Sequence, residues 1–173
     1  MALSNITLSS SRFNQETWDE NCSYRRERNL NGCIYCSPCK ISNKILPNTL
    51  ILIHEMNNST NKIEGIGLIY NTIHYDRYYK VYDTDNYNRY IYKSNYRIDR
   101  SVLIEYNQEL IVALEYILFK EKTHLKRGSG LLTIPEKLLK HEIFNGIDDV
   151  RNKLINIFKQ HFQKENLQQQ QQS

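Results

Sequence analysis

The chain has 173 residues, 40% hydrophobic and 24% charged, with a net charge of +4 and a pI near 8.8. That length and balance describe one globular domain with a sizeable core. They exclude a disordered chain, and no apolar run approaches the roughly 20 residues of a membrane helix. The N-terminus carries no basic region followed by an apolar one, so no membrane partner is expected and the chain is assigned to the cell interior.

Residues 1–15 (MALSNITLSSSRFNQ) are rich in Ser and Asn, hold no sustained period, and read as a flexible lead. Residues 16–165 form the single folded domain, opened by a charged segment with the sole tryptophan, Trp18, and closed at the turn signal Asn31-Gly32. The run GCIYCSP reads as a short strand stopped by Pro38, which has no donor and restrains its neighbour. KISNKILPN follows as a short helix or loop. TLILIHEM and KIEGIGLIYN then read as a hairpin across the polar tip Asn57–Lys62, with Gly65 and Gly67 marking a bulge or a close backbone approach. In residues 74–101, nine of the thirteen tyrosines fall between Tyr70 and Tyr96, and the alternation predicts two strands around the turn Asp83–Asn86.

From Ser101 the period becomes helical, with Leu103, Tyr106, Leu110, Ala113, Leu114 and Ile117 on one face to about Lys122. A basic loop, KEKTHLKRGSG, and a short strand, LLTIP, precede a last helix with its face at Leu139, Ile143, Ile147, Val150, Leu154, Phe158 and Phe162, open to a break at Gly146. The glutamine run makes residues 166–173 a disordered tail. Strands before helices give an α+β class, as a small curved mixed sheet or barrel with flanking helices.

The nineteen Asn, twenty Ile, thirteen Tyr and thirteen Lys, against two Ala, follow AT-rich codons, so Asn and Tyr counts carry little functional weight. Cys22, Cys33, Cys36 and Cys39 would supply four ligands for zinc, but the inner pair sits on a strand, where side chains alternate faces. Small buried hydrophobes are the favoured reading of these cysteines, and no metal or other cofactor is expected. The five histidines show no paired spacing, GSG at 128–130 lacks the rest of a phosphate loop, and no residue is assigned a catalytic role. Lys120, Lys122, His124, Lys126 and Arg127, broken by Glu121, form the densest positive cluster and can neutralise phosphates. Arg77, Arg89, Lys93, Arg97 and Arg100 lie among the tyrosines, a pairing suited to single-stranded bases, though four aspartates blunt its charge.

The order of a strand ending in a polar motif (Ile34, Tyr35, Ser37), a second strand (Leu52, Ile53) and a third with Gly65-Ile66-Gly67 resembles the opening of PUA-like domains of the EVE and YTH branches. The likeness covers about 40 residues and lacks the tryptophans that usually cage the base. It implies a non-enzymatic reader of nucleic acid, RNA ahead of DNA, that holds a splayed base in an aromatic pocket. On that likeness Trp18 and Tyr35 would stack on the base, Ser37 and Asn57 would contact its edge, and Lys122, Lys126 and Arg127 would hold phosphates. The reading requires Trp18, Tyr35 and Ser37 around a common cleft beside the basic loop. The block Ile91–Asp99 and the stretch THLKRGSGLLTIPEKLL also look like uncharacterised proteins of giant DNA viruses, which would place the chain in host cytoplasm, viral factory or virion. The alternative function is a structural or interaction component, a virion protein or adaptor whose tyrosines meet a protein partner.

Overall fold

A computed structural model describes residues 5–120, 122 and 125–172. In chain order the elements are β1 (Thr7–Phe13), α1 (Gln15–Glu27), β2 (Cys33–Ser37), β3 (Leu50–Asn57), β4 (Lys62–Tyr70), a 3-10 turn at Asp85–Asn88, β5 (Tyr90–Ser94), β6 (Tyr96–Asp99), α2 (Arg100–Phe119), β7 (Leu132–Thr133), α3 (Glu136–Leu139) and α4 (Ile147–Gln172). The class is α+β. Among the described residues the strands form a five-stranded mixed sheet in the order β6-β4-β3-β1-β7 and a separate two-stranded ribbon of β2 and β5; the larger sheet does not close into a barrel.

The hairpin expected over residues 50–70 is the centre of the sheet. Alternate residues of β3 serve opposite faces. Leu52 and Met56 enter a core with α2, α3 and α4, whereas Ile51 and Ile53 enter a second core under α1 and the ribbon. All four are at most 1% exposed, and full burial of such a side chain contributes roughly 1.5–3 kcal/mol. The pairing of β3 with β4 slips between His54 and Met56, which is the bulge that the Gly-punctuated strand predicts.

Four expectations are corrected. The flexible lead contains β1, which lies parallel to β3 over Thr7–Phe13 and antiparallel to β7. Ser9, Ser10 and Ser11 are buried there, because small side chains fit between two neighbouring strands whose ladders satisfy the backbone. Residues 15–27 are helical: Asn14 accepts from the Thr17 amide at 2.8 Å while Thr17 Oγ1 accepts from the Asn14 amide at 3.1 Å, a reciprocal cap. Of the two strands expected around Asp83–Asn86, the segment before that turn forms no strand; after it come β5, which joins β2, and, past the single residue Asn95, β6, which pairs with β4. The glutamine run continues α4 to Gln172, in keeping with the good helix propensity of Gln on a helix already nucleated by packing.

Other expectations need smaller adjustments. Residues 41–49 are turns without a helix. Asp99, two residues before the expected start at Ser101, caps α2 by accepting from the Ser101 amide. Asn107 breaks the helical path at φ −160°, and its side chain caps the second half by accepting from the Leu110 amide at 3.0 Å. The expected final helix is interrupted at Gly146, whose φ of +95° suits glycine. Among the described residues no helix is long and apolar enough to cross a membrane.

Candidate nucleic-acid interface

β1 and β3 end side by side because they are parallel, and the chain turns from Phe13 directly into the first turn of α1. At that end a cleft of about 260 Å³ opens. Its floor is Ser11, Arg12 and Phe13, and its walls come from Asn14 and Thr17 of the helix cap, Cys36 and Pro38 at the end of β2, Tyr82 and Tyr87, Asn58 and Lys126, and the Gly128–Gly130 loop.

The loop is tied to the strand through one guanidinium. Arg12 donates from Nη2 to Gly130 O at 2.7 Å, from Nε to Gly128 O at 3.2 Å, and from Nη1 to Ser10 Oγ at 3.3 Å. All three acceptors are neutral, so they orient the cation without cancelling its charge. Burial lowers its pKa from the usual arginine value, yet an arginine keeps its proton at neutral pH. Gly130 sits at φ +78°, and a Cβ there would come within 2.8 Å of Ser37 Oγ and 3.0 Å of Cys39 Sγ. The glycine thus lets the loop cross the end of β2 at close range.

The aromatic walls are mutually braced. Tyr82 and Tyr87 meet edge to face with centroids 6.2 Å apart, and Asn21 Nδ2 donates to Tyr82 Oη at 3.1 Å. Tyr82 is buried, whereas Tyr87 is 41% exposed. Phe13 is held edge to face against Trp18, centroids 5.2 Å apart. Asn58 closes one side: its amide donates to Phe13 O at 2.7 Å and its Nδ2 to Lys126 O at 2.8 Å, while its Oδ1 has no partner.

The residues expected from sequence lie mostly beneath or beside this cleft. Trp18 is 8% exposed and packs below Phe13, flanked by the guanidinium groups of Arg25 and Arg97 at 5.4 and 5.6 Å from its ring. Tyr35 shares the same core and is fully enclosed; a Cβ on Gly67 would collide with its hydroxyl. Neither residue lines the cleft. Ser37 is buried at the rim, where its hydroxyl donates to Cys39 O and lies under Gly130. Asn57 is buried too, donating from Nδ2 to Gln15 Oε1 at 3.3 Å and Glu64 Oε1 at 3.2 Å, and so braces the start of α1. Lys126 reaches the cleft wall, and Arg127 and Lys122 are exposed nearby in sequence; Glu121 and His124 lie outside the described residues.

Among the described residues the Tyr35 hydroxyl has no hydrogen-bond partner of sound geometry, the Cys33 thiol being its polar neighbour, and burial drives its pKa well above the usual phenol value. Leaving such a group unpaired costs about 1–3 kcal/mol relative to pairing it. Tyr35→Phe is therefore expected to leave the unfolding midpoint in urea unchanged or to raise it, by up to about 1 kcal/mol; a loss of that size would mean the hydroxyl has a partner.

Sequence reasoning missed Arg12, Phe13, Asn14, Thr17, Tyr82 and Tyr87. The Asn14-x-x-Thr17 spacing was the available signal, since a capped helix directly after SSSRF would have made that segment a strand entering a helix. The four cysteines are unpaired thiols; Cys33 is buried, burial raising its pKa to about 11, and burial raises Cys36 as well. Among the described residues no group of three or more His, Cys, Asp or Glu side chains is placed to hold a metal ion. Compared with family models, with curated proteins and with solved structures, the chain matches none.

Proposed function

We infer that this domain binds nucleic acid without catalysing a reaction on it, accepting an unstacked base in the cleft at the end of β1. The observation that carries the reading is Arg12, a cation oriented by neutral acceptors on the floor of a cleft walled by Phe13, Tyr82 and Tyr87. Aromatic side chains beside a guanidinium that has no ion pair among the described residues suit a base and its phosphate together. The helix cap adds the positive end of the α1 dipole on the same side, and Lys126 with Arg127 supplies charge along the rim. RNA is the class that the PUA-like resemblance implies, and that family assignment belongs to the same proposal.

Fluorescence anisotropy of a labelled single-stranded RNA, titrated with protein from 50 to 300 mM salt, tests it. Binding is expected at low salt and should weaken steeply as salt rises. Arg12→Gln should lower affinity at least about tenfold, the scale of one charge-assisted contact, with the fold verified by circular dichroism. Absence of binding at 50 mM salt, or binding indifferent to salt, would overturn the reading. The first outcome would favour the interaction-component alternative, for which the exposed tyrosines Tyr75, Tyr78, Tyr87 and Tyr96 are the relevant surface.

A further inference from the structure

The chain continues past the cleft-lining Pro38. Cys39 follows it against Gly130, and the next residue, Lys40, places its ammonium 5.7 Å from the centroid of the Tyr90 ring. From the other strand of the ribbon, Arg89 lies 5.4 Å from the same centroid. Tyr90 is registered opposite Ser37, the residue between the cleft-lining Cys36 and Pro38, and Arg89 is two residues beyond the cleft-lining Tyr87. The pair therefore adjoins the cleft mouth on both strands.

Neither Lys40 nor Arg89 has an ion pair with a described carboxylate. Among the described residues each cation lies within cation–π reach of the Tyr90 ring, so both keep their charge for a ligand. Tyr75, 72% exposed, follows His74, whose amide donates to Ile91 O at 2.9 Å, so residue 75 lies alongside β5. Burial raises the pKa of the Tyr92 hydroxyl on that strand. That hydroxyl accepts from the Ile41 amide at 3.0 Å and so fixes the segment carrying Lys40 against β5.

We propose that Lys40, Tyr90, Arg89 and Tyr75 form a second subsite continuous with the cleft, so that the partner is a single strand several nucleotides long. The proposal rests on the reading of the cleft given above. One nucleotide occupies the cleft, the phosphates that follow lie on Lys40 and Arg89, and the exposed Tyr75 offers a face to a further base. A mononucleotide or dinucleotide would fill the cleft alone. Two cations gathered on one aromatic side chain suit the closely spaced phosphates of a flexible single strand, whose bases are free to turn toward the exposed Tyr75.

The test compares two fluorescein-labelled RNA pools of randomised sequence, two and nine nucleotides long, binding to wild type, Lys40→Gln/Arg89→Gln and Arg12→Gln. The double variant is expected to bind the nine-nucleotide pool about tenfold more weakly at 50 mM salt. Its slope of log affinity against log salt should be shallower by about 1.4, about 0.7 for each phosphate of a single strand that the variant no longer neutralises. The dinucleotide pool should bind it as it binds wild type, whereas Arg12→Gln should weaken both pools. If the double variant matches wild type on the long pool while Arg12→Gln does not, the second subsite is overturned and the cleft stands. An equal loss on both pools would also overturn it, by placing the two cations in the cleft itself. Failure of wild type to bind either pool at 50 mM salt overturns the cleft reading and this extension together.

Discussion

Arg97→Met is expected to destabilise the domain by about 3–5 kcal/mol at neutral pH, measured by urea unfolding. Arg97 Nε donates to both oxygens of Glu55 at 2.7 and 3.0 Å, Nη1 to Asp99 at 3.2 Å, and Nη2 to Glu64 O at 3.3 Å. Its side chain is 7% exposed and that of Glu55 2%. Methionine keeps the stem against Trp18 but leaves the carboxylate buried without its cation, and it is the unpaired charge that costs. Asp99, half open to water, is a weaker partner and contributes less.

Two controls distinguish this cause from lost packing. The double variant Glu55→Gln/Arg97→Met should regain at least half the loss, since it buries no charge. The pH dependence should also carry a definite sign. Burial already holds the Glu55 carboxyl above its usual range, despite the opposing pull of Arg97. Removing Arg97 raises it further, so on acidification the native state takes up the proton before the unfolded chain does. The deficit of Arg97→Met should therefore shrink as pH falls from neutral toward the ordinary carboxyl range. A loss below about 1 kcal/mol, or a deficit that grows with acid, would show that the pair is not what holds α1 over the sheet.

The buried pair also accounts for much of what could and could not be read from the sequence. The β3–β4 hairpin was legible because Ile51, Ile53, Ile63, Ile66 and Ile69 declare a buried strand by type alone. Glu55 sits in that run as if it were a surface residue, and nothing local says that Arg97, 42 residues away, neutralises it. β1 was illegible for a related reason. Its SSSR core is polar in type and buried in fact, because β3 and β7 flank it and Arg12 turns outward into the cleft. Residue types also misdirected the choice of pocket walls. Trp18 and Tyr35 are both core, whereas the cleft-lining Tyr82 and Tyr87 belong to a stretch in which tyrosine is too common to stand out. The GSG segment lacks the remaining residues of a phosphate loop. Its contribution is two carbonyls that orient Arg12.

His54 should make the domain acid-sensitive in a window that one substitution removes. It occupies β3 on the face opposite Glu55, fully buried. Its Nδ1 is 2.9 Å from Ser9 O, and a carbonyl can only accept, so the neutral ring carries its proton on Nδ1. Among the described residues Nε2 has no partner of sound geometry, so protonation would create a buried charge and a donor without a good acceptor. Burial lowers the pKa from the ordinary 6.5 to about 4, with the hydrogen bonds to Ser9 and Leu52 opposing it. The folded pKa lies below the unfolded one, so as pH falls the unfolded chain binds the proton first and stability is lost between pH 6.5 and about 4. The loss from this residue should reach about 2 kcal/mol at pH 5 and about 3 kcal/mol at pH 4. His54→Asn keeps a donor near the Nδ1 position and cannot titrate. Urea unfolding of both proteins from pH 7.5 to pH 4 isolates the effect, because Glu55 and the surface carboxylates cancel in the difference. The wild-type curve should fall toward that of His54→Asn by these amounts. Curves that stay parallel would mean that the buried ring accepts its second proton without penalty, and that the Ser9–His54 contact does not lock β1 to β3 in the neutral form.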